Sequence, residues 1–331
     1  MKNTIFTGVA TAIITPFTET GVDWDAFGRL IEYQLAGGIN AIVAAGTTGE
    51  GSTLTDREHE DVIAFCVKQV AGRVPVIAGT GSNNTAHAIE RTQTACRAGA
   101  DAVLLVTPYY NKTTQKGLIA SFSAIADASS VPCVLYNVPS RTGMNMLPET
   151  LAVLAKHERI AAVKEACGNI SQVAKERLLC GDDLDVYSGC DDQTVPTLSL
   201  GGKGLVSVVA NILPKETAEI CTRFFSGDVQ GAAEIQLKLL PLMNQLMLET
   251  NPIPAKAACA AIGFGQNLLR LPLVPMEEGN RQKLLSLMRE AGLEVKEGGS
   301  SFADTADTGA GKCGPARSGM STARSSRAWI R

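Results

Sequence analysis

The sequence predicts an α/β protein, a (β/α)8 TIM barrel with a C-terminal helical appendage. Eight short apolar runs recur at intervals of roughly 30 residues, the span of one strand–helix–strand unit. Each run gives way to Gly, Thr, Ser or Asn and then to a helical pattern. The first run leads into Thr15-Pro16-Phe17. An open doubly wound sheet, the alternative with the same alternation, usually opens instead on a Gly-rich dinucleotide turn.

In chain order the runs are residues 9–14, 41–45, 74–78, 102–106, 132–136, 161–163, 184–187 and 204–208. Helix-start signals stand between them. Asp23 precedes the stripe Phe27, Leu30, Ile31 and Leu35. Thr55 stands three residues before Glu58, a capping-box spacing, ahead of Val62, Ile63 and Phe65. Asn84-Thr85 opens a helix through Ala98, and Pro148-Glu149 one through Leu154. After the eighth run come four more helical stretches, 214–225, 229–250, 254–265 and 277–291. These are too many for the eighth barrel helix alone, so the barrel is expected over residues 1–227 and the appendage over 228–297.

Composition limits the function. The chain has 331 residues, 33 acidic and 30 basic, with a formal charge of −3. Charged residues make up 19% and apolar ones 45%. Mixed charge with a large apolar fraction excludes a basic nucleic-acid-binding protein and a disordered acidic one. No apolar run approaches the ~18 residues of a membrane helix. From residue 298 the character changes: those 34 residues hold six Gly, six Ser and a net charge of +3, leaving residues 1–297 at −6. Residues 298–331 are expected to be a disordered low-complexity tail with no part in the chemistry.

The nine cysteines are scattered, with no Cys-x-x-Cys pair, and most lie in apolar stretches. That suits small buried hydrophobes in a reducing cytoplasm, not a disulfide framework or a zinc site. His59, His87 and His157 have no ligand-type spacing. Lys2 is a weak basic start for a signal peptide and no small-x-small site follows it, so a buried first strand fits better.

In this barrel, chemistry gathers where strands end. Lys164 follows the run Ile160-Ala161-Ala162-Val163. A buried ammonium there is pushed toward its neutral, nucleophilic form, suited to attack on a carbonyl; a lysine snorkelling out of the strand end is the plainer alternative. Gly46-Thr47-Thr48-Gly49-Glu50 offers hydroxyls and close backbone approach for a small carboxylate, or is an ordinary turn. Tyr136 ends an apolar strand, where a phenol held by Thr47 and Tyr110 can relay protons, or merely satisfy a core hydrogen bond. Arg141 sits in a Pro/Ser/Gly loop, placed to clamp a second carboxylate or to remain solvated.

These motifs resemble the dihydrodipicolinate synthase family, within the N-acetylneuraminate lyase superfamily of class I aldolases. The resemblance covers residues 6–293. It rests on Gly46-Thr-Thr-Gly-Glu50, Pro75-Val-Ile-Ala-Gly-Thr-Gly81, Pro108-Tyr-Tyr-Asn-Lys112, Tyr136-Asn-Val-Pro-Ser-Arg-Thr-Gly143 and Val163-Lys-Glu-Ala166. It implies a Schiff-base lyase of lysine (diaminopimelate) biosynthesis that condenses pyruvate with L-aspartate 4-semialdehyde and uses no metal or nucleotide cofactor. Lys164 would form the imine, Thr48 hold the pyruvate carboxylate, and Tyr136 shuttle protons through Thr47 and Tyr110. Arg141 would receive the semialdehyde carboxylate, while Gly189 and Val206 line the pyruvate pocket. Many members carry Ile at the position of Val206, and Val keeps that β-branched wall.

The resemblance also implies a tight dimer, with Tyr110 reaching into the neighbouring subunit, and a tetramer of two dimers. Neither nucleic acid nor membrane is an expected partner. Some members bind lysine at the dimer interface, where Asn83, Tyr109 and His59 match. Gly51, Asp56 and His87 depart from the Ser, His or Lys, and Glu common in lysine-sensitive members, so weak or absent inhibition is expected. Two rival readings remain. One is a pyruvate lyase of a 2-keto-3-deoxy acid or sialic acid, which Arg141 argues against. The other is a non-catalytic keto-acid sensor, which has no use for a proton relay.

Overall fold

The computed structural model describes residues 2–296; the tail expected at 298–331 lies outside the described residues. Eight parallel strands close into a barrel: β1 (Gly8–Ala12), β2 (Ala41–Ala44), β3 (Val76–Gly79), β4 (Ala102–Val106), β5 (Cys133–Asn137), β6 (Ile160–Glu165), β7 (Asp185–Ser188) and β8 (Gly204–Ser207). Each pairs with its neighbours in sequence, and β8 closes on β1 with Thr11 opposite Ser207. All eight apolar runs therefore become strands.

The period-two alternation of a strand divides these side chains between two cores. Val43, Ile77, Leu104, Val134, Ala162, Tyr187 and Val206 fill the barrel interior. Phe6 closes the N-terminal end, stacked on Tyr187 with ring centroids 4.1 Å apart. The Tyr187 hydroxyl donates to the Phe6 carbonyl at 2.7 Å. Between them, Ile42, Leu105, Leu135, Val163 and Val186 face outward and pack under the helices. Each such buried aliphatic side chain contributes about 1.5–3 kcal/mol relative to exposure.

The helices around the barrel are α1 (Trp24–Ala36), α2 (Asp56–Val70), α3 (Thr85–Arg97), α4 (Gln115–Asp127), α5 (Pro148–Leu154), α6 (Ile170–Cys180), α7 (Thr194–Ser199) and α8 (Pro214–Phe225). Their starts follow local chemistry. Asp23 accepts from Ala26 N–H at the head of α1, and Thr55 and Glu58 form the reciprocal box of α2. Asn84 caps α3 by accepting from Ala86 and His87 N–H.

Three further helices follow, α9 (Val229–Gln245), α10 (Ile253–Ala261) and α11 (Glu278–Glu290). α9 packs on α8 and α11, and α11 on α10. Two of these end sooner than the sequence pattern suggests. α9 stops at Gln245 rather than continuing to 250. α10 stops at Ala261, where Gly263 turns to φ +96° and Phe264 N–H bonds back to the Cys259 carbonyl at 2.9 Å. A small antiparallel hairpin, Phe17–Thr18 with Gly21–Val22, lies between β1 and α1; two-residue strands leave no periodicity to read. Among the described residues no helix is long and apolar enough to cross a membrane.

Candidate active site

Lys164 and Tyr136 are Cα partners across β6 and β5, so both point to the same face of the sheet. That face is the barrel interior, where Val134 and Ala162 lie two residues earlier on each strand. Lys164 is 6% exposed and Tyr136 7%. The Lys164 amine lies 4.3 Å from the Tyr136 ring centroid. Burial pulls its pKa down to about 8, and the nearby Arg141 charge acts in the same direction. Cys190 and Asp191 pull against that shift. Burial pushes the Tyr136 phenol up to about 12, and a hydrogen bond with the Thr47 side chain opposes it.

Thr47 and Thr48 stand on the turn after β2. Gly51 N–H closes the turn by donating to the Gly46 carbonyl at 3.0 Å. A side chain at Gly51 would put its Cβ 2.1 Å from the Ala45 carbonyl oxygen, so the turn keeps this close backbone approach only with glycine and would have to shift for any larger residue. Three residues from beyond the barrel hold this turn. Asn251 Nδ2 donates to the Thr48 hydroxyl at 2.9 Å. Lys256, on α10, donates to Glu50 Oε1 at 2.7 Å, both side chains being fully buried. Arg270 N–H donates to the other Glu50 oxygen at 3.1 Å.

Arg141 lies on a single helical turn, Pro139–Thr142, that follows β5. Its Nη2 donates to the Asn251 carbonyl at 2.9 Å. Arg141 shares a cavity of about 280 Å³ with Thr47, Tyr136, Val138 and Tyr109. Gly189 closes the Lys164 side: its Cβ would sit 2.7 Å from Ala166 Cβ and 3.1 Å from Lys164 Cε. Val206, 1% exposed, belongs to the interior wall.

The strand ends thus bring together Lys164, Tyr136 and Thr47, with Thr48, Arg141, Gly189 and Val206 around them. Tyr110 does not join them within one chain. It is 92% exposed, at φ +66° in the loop after β4, so of the two partners expected for the phenol Thr47 is in place and Tyr110 faces out. Of the residues matched to a lysine site, Tyr109 lies at the cavity and Asn83 is half-buried, its carbonyl accepting from Asn111 Nδ2. His59 is buried, its Nε2–H donating to the Gly79 carbonyl at 2.7 Å, and burial lowers its pKa to about 4.

Four groups at the site escaped the sequence reading. Asp191, three residues past β7, accepts from Ser207 Oγ at 2.5 Å and Val208 N–H at 3.0 Å. Its place just after a strand end was the available signal. Asn251, Lys256 and Arg270 lie more than 200 residues from the turn they hold, with no local signal. Behind β6, Glu165 accepts from Asn137 Nδ2 and Cys167 N–H. Burial first, and the neighbouring Glu165 second, push the Glu176 carboxyl well above the usual carboxylate range. Among the described residues no cluster of His, Cys, Asp and Glu is placed to hold a metal ion.

A parallel barrel that gathers a buried amine, a phenol and paired hydroxyls at its strand ends defines a lyase of the class I aldolase type. The chain belongs to the dihydrodipicolinate synthetase family, whose model matches residues 5–291. It is 51% identical over 290 residues to the 4-hydroxy-tetrahydrodipicolinate synthase of Thermoanaerobacter sp. (strain X514), covering 87% of this chain and 98% of that protein. The solved dihydrodipicolinate synthase of Aquifex aeolicus is 43% identical, with a TM-score of 0.86 over 88% of this chain and all of that one. A chloride-inhibited dihydrodipicolinate synthase from Acinetobacter baumannii, complexed with pyruvate, is 42% identical, with a TM-score of 0.86 and the same coverage.

Proposed function

We propose that this chain is a 4-hydroxy-tetrahydrodipicolinate synthase, condensing pyruvate with L-aspartate 4-semialdehyde in the cytoplasm for lysine (diaminopimelate) biosynthesis. The observation that carries this is the Lys164 amine, buried, lowered to about 8 and set against Tyr136. At pH 7 a pKa of about 8 leaves roughly a tenth of the amine neutral, several hundred times more than an exposed lysine has.

The neutral amine adds to the C2 carbonyl of pyruvate, and loss of water gives the imine. The Thr48 hydroxyl and N–H hold the carboxylate. Tyr136, bonded to Thr47, moves the protons that turn carbinolamine to imine and imine to enamine. Tyr110 of the partner subunit completes that relay, in keeping with its exposure in a single chain. The enamine carbon attacks the aldehyde of the second substrate while Arg141 holds that substrate's carboxylate. The substrate's own amine then attacks the imine carbon, closing the ring and releasing Lys164. The sequence needs neither metal nor nucleotide, and the working unit is a dimer within a tetramer.

The test is reduction with borohydride in the presence of pyruvate, read by intact mass and peptide mapping. A stable adduct on Lys164 is expected, followed by turnover with aspartate semialdehyde in an assay coupled to an NAD(P)H-dependent reductase. No adduct would overturn the Schiff-base reading. An adduct with turnover of a sugar acid and none of the semialdehyde would move the assignment to a sister lyase.

A further inference from the structure

Both groups assigned above to substrate carboxylates are bonded to a single residue outside the barrel. Asn251 lies between α9 and α10 and is 7% exposed. Its side-chain Nδ2 donates to Thr48 Oγ1 at 2.9 Å, while its main-chain carbonyl accepts from Arg141 Nη2 at 2.9 Å. Five residues on, Lys256 bonds Glu50 in the same turn as Thr48, so the segment is anchored twice to that turn.

The direction of the first bond has a chemical consequence. A hydroxyl has one proton to give and two lone pairs to receive. An amide nitrogen can only donate, so Thr48 Oγ1 accepts from Asn251 and keeps its own proton free. Thr48 is 3% exposed, so water is largely shut out from that proton. A carboxylate is the acceptor that suits it. Asn251 Oδ1 is buried with no hydrogen-bond partner. The amide thus leaves its acceptor unpaired while its donor is spent on Thr48.

We propose that Asn251 is a positioning residue for both substrates: its side chain fixes Thr48 as a hydroxyl donor to the keto-acid carboxylate, and its main-chain carbonyl aims Arg141 at the second carboxylate. This rests on the function proposed above. It separates the two subsites by chemistry, because a side-chain substitution removes the first bond and leaves the second.

The experiment measures the pyruvate concentration that half-saturates borohydride trapping, and KM for each substrate. The proteins are wild type, Asn251→Ala, Asn251→Asp, Thr48→Val and the Thr48→Val/Asn251→Ala double variant. Asn251→Ala is expected to raise the pyruvate values about tenfold, the scale of one hydrogen bond to a charged group, and to leave the semialdehyde KM within about twofold. Asn251→Asp keeps the shape but takes the Thr48 proton and adds a negative charge. It is expected to raise the pyruvate values at least as much, and it serves as the test should the alanine variant not fold. In the Thr48→Val background, Asn251→Ala is expected to cost nothing further. Equal losses for both substrates, additive losses in the double variant, or a wild-type response from Asn251→Asp would overturn the proposal alone. Absence of trapping in the wild-type protein would overturn the functional reading and this proposal with it.

Discussion

Lys164 and Tyr136 face each other as register partners on neighbouring parallel strands, with the amine 4.3 Å from the phenol ring. Strand pairing, which fixes backbone atoms, therefore also fixes a buried amine against a phenol ring. Neither side chain depends on a loop for its position. The pair is pre-organised by the same hydrogen bonds that close the barrel.

Imine formation is expected to follow the ionisation of Lys164. The protonated amine is inert, and the neutral form grows as pH rises toward its pKa of about 8. The single-turnover trapping rate should thus climb about tenfold per pH unit below that value and level off above it. Lys164→Ala should abolish the adduct, and unchanged trapping would show that another lysine reacts. A rate that rises only toward pH 10 would mean the amine is not desolvated in the working protein.

Removing the phenol tests the relay separately from the nucleophile. Tyr136→Phe keeps the buried ring against Lys164 and loses the hydroxyl bonded to Thr47. Turnover should fall by about 10²–10⁴-fold, the range of general acid–base catalysis, while the adduct on Lys164 still forms slowly. Thr47→Val should give a smaller loss in the same direction, because the phenol survives without its partner. Steady-state kcat beside trapping yield distinguishes these cases. Full activity in Tyr136→Phe would remove the phenol from the mechanism.

Lys164, Tyr136 and Thr47 were legible in the sequence because each lies at or just past an apolar run, and a closed barrel brings all such ends to one mouth. The capping box at Thr55 and Glu58 was legible for the same local reason. Asn251 and Lys256 were not, since their bonds to Thr48 and Glu50 span 203 and 206 residues and no periodicity encodes such a pairing. Tyr110 differs from both: it faces out of a single chain at φ +66°, and its expected place beside the phenol of a neighbouring subunit depends on an assembly that no local pattern encodes.

Inhibition by lysine is expected to be weak or absent. Asp56 already accepts from His87 Nε2–H at 2.9 Å and from Arg91 Nη2 at 2.9 Å. Arg91 first and His87 second hold its carboxyl below the usual range. Its negative charge is thus committed within the chain, and His87 offers an imidazole where an ammonium would need a carboxylate. Initial rates should be insensitive to lysine. Half-inhibition at submillimolar lysine would overturn this expectation.

The Glu50–Lys256 pair gives the last expectation, which concerns how the appendage supports the turn after β2. Both side chains are fully buried at 2.7 Å, and Lys256 also lies 3.8 Å from the Phe17 ring centroid. Burial pulls the Lys256 ammonium down to about 8 against the opposing pull of Glu50, so at pH 7 the lysine is still mostly charged. Replacing both partners with apolar groups of similar volume is commonly near neutral, but removing one strands a buried charge. Lys256→Met leaves Glu50 with only the Arg270 N–H as a strong donor. It should destabilise the fold by about 3–5 kcal/mol in denaturant unfolding. Glu50→Gln in that background removes the stranded charge and should restore much of the loss, while the pyruvate KM stays raised because the turn carrying Thr48 has lost its anchor. A single variant as stable as wild type would mean that water reaches Glu50 and that the pair is not buried in solution.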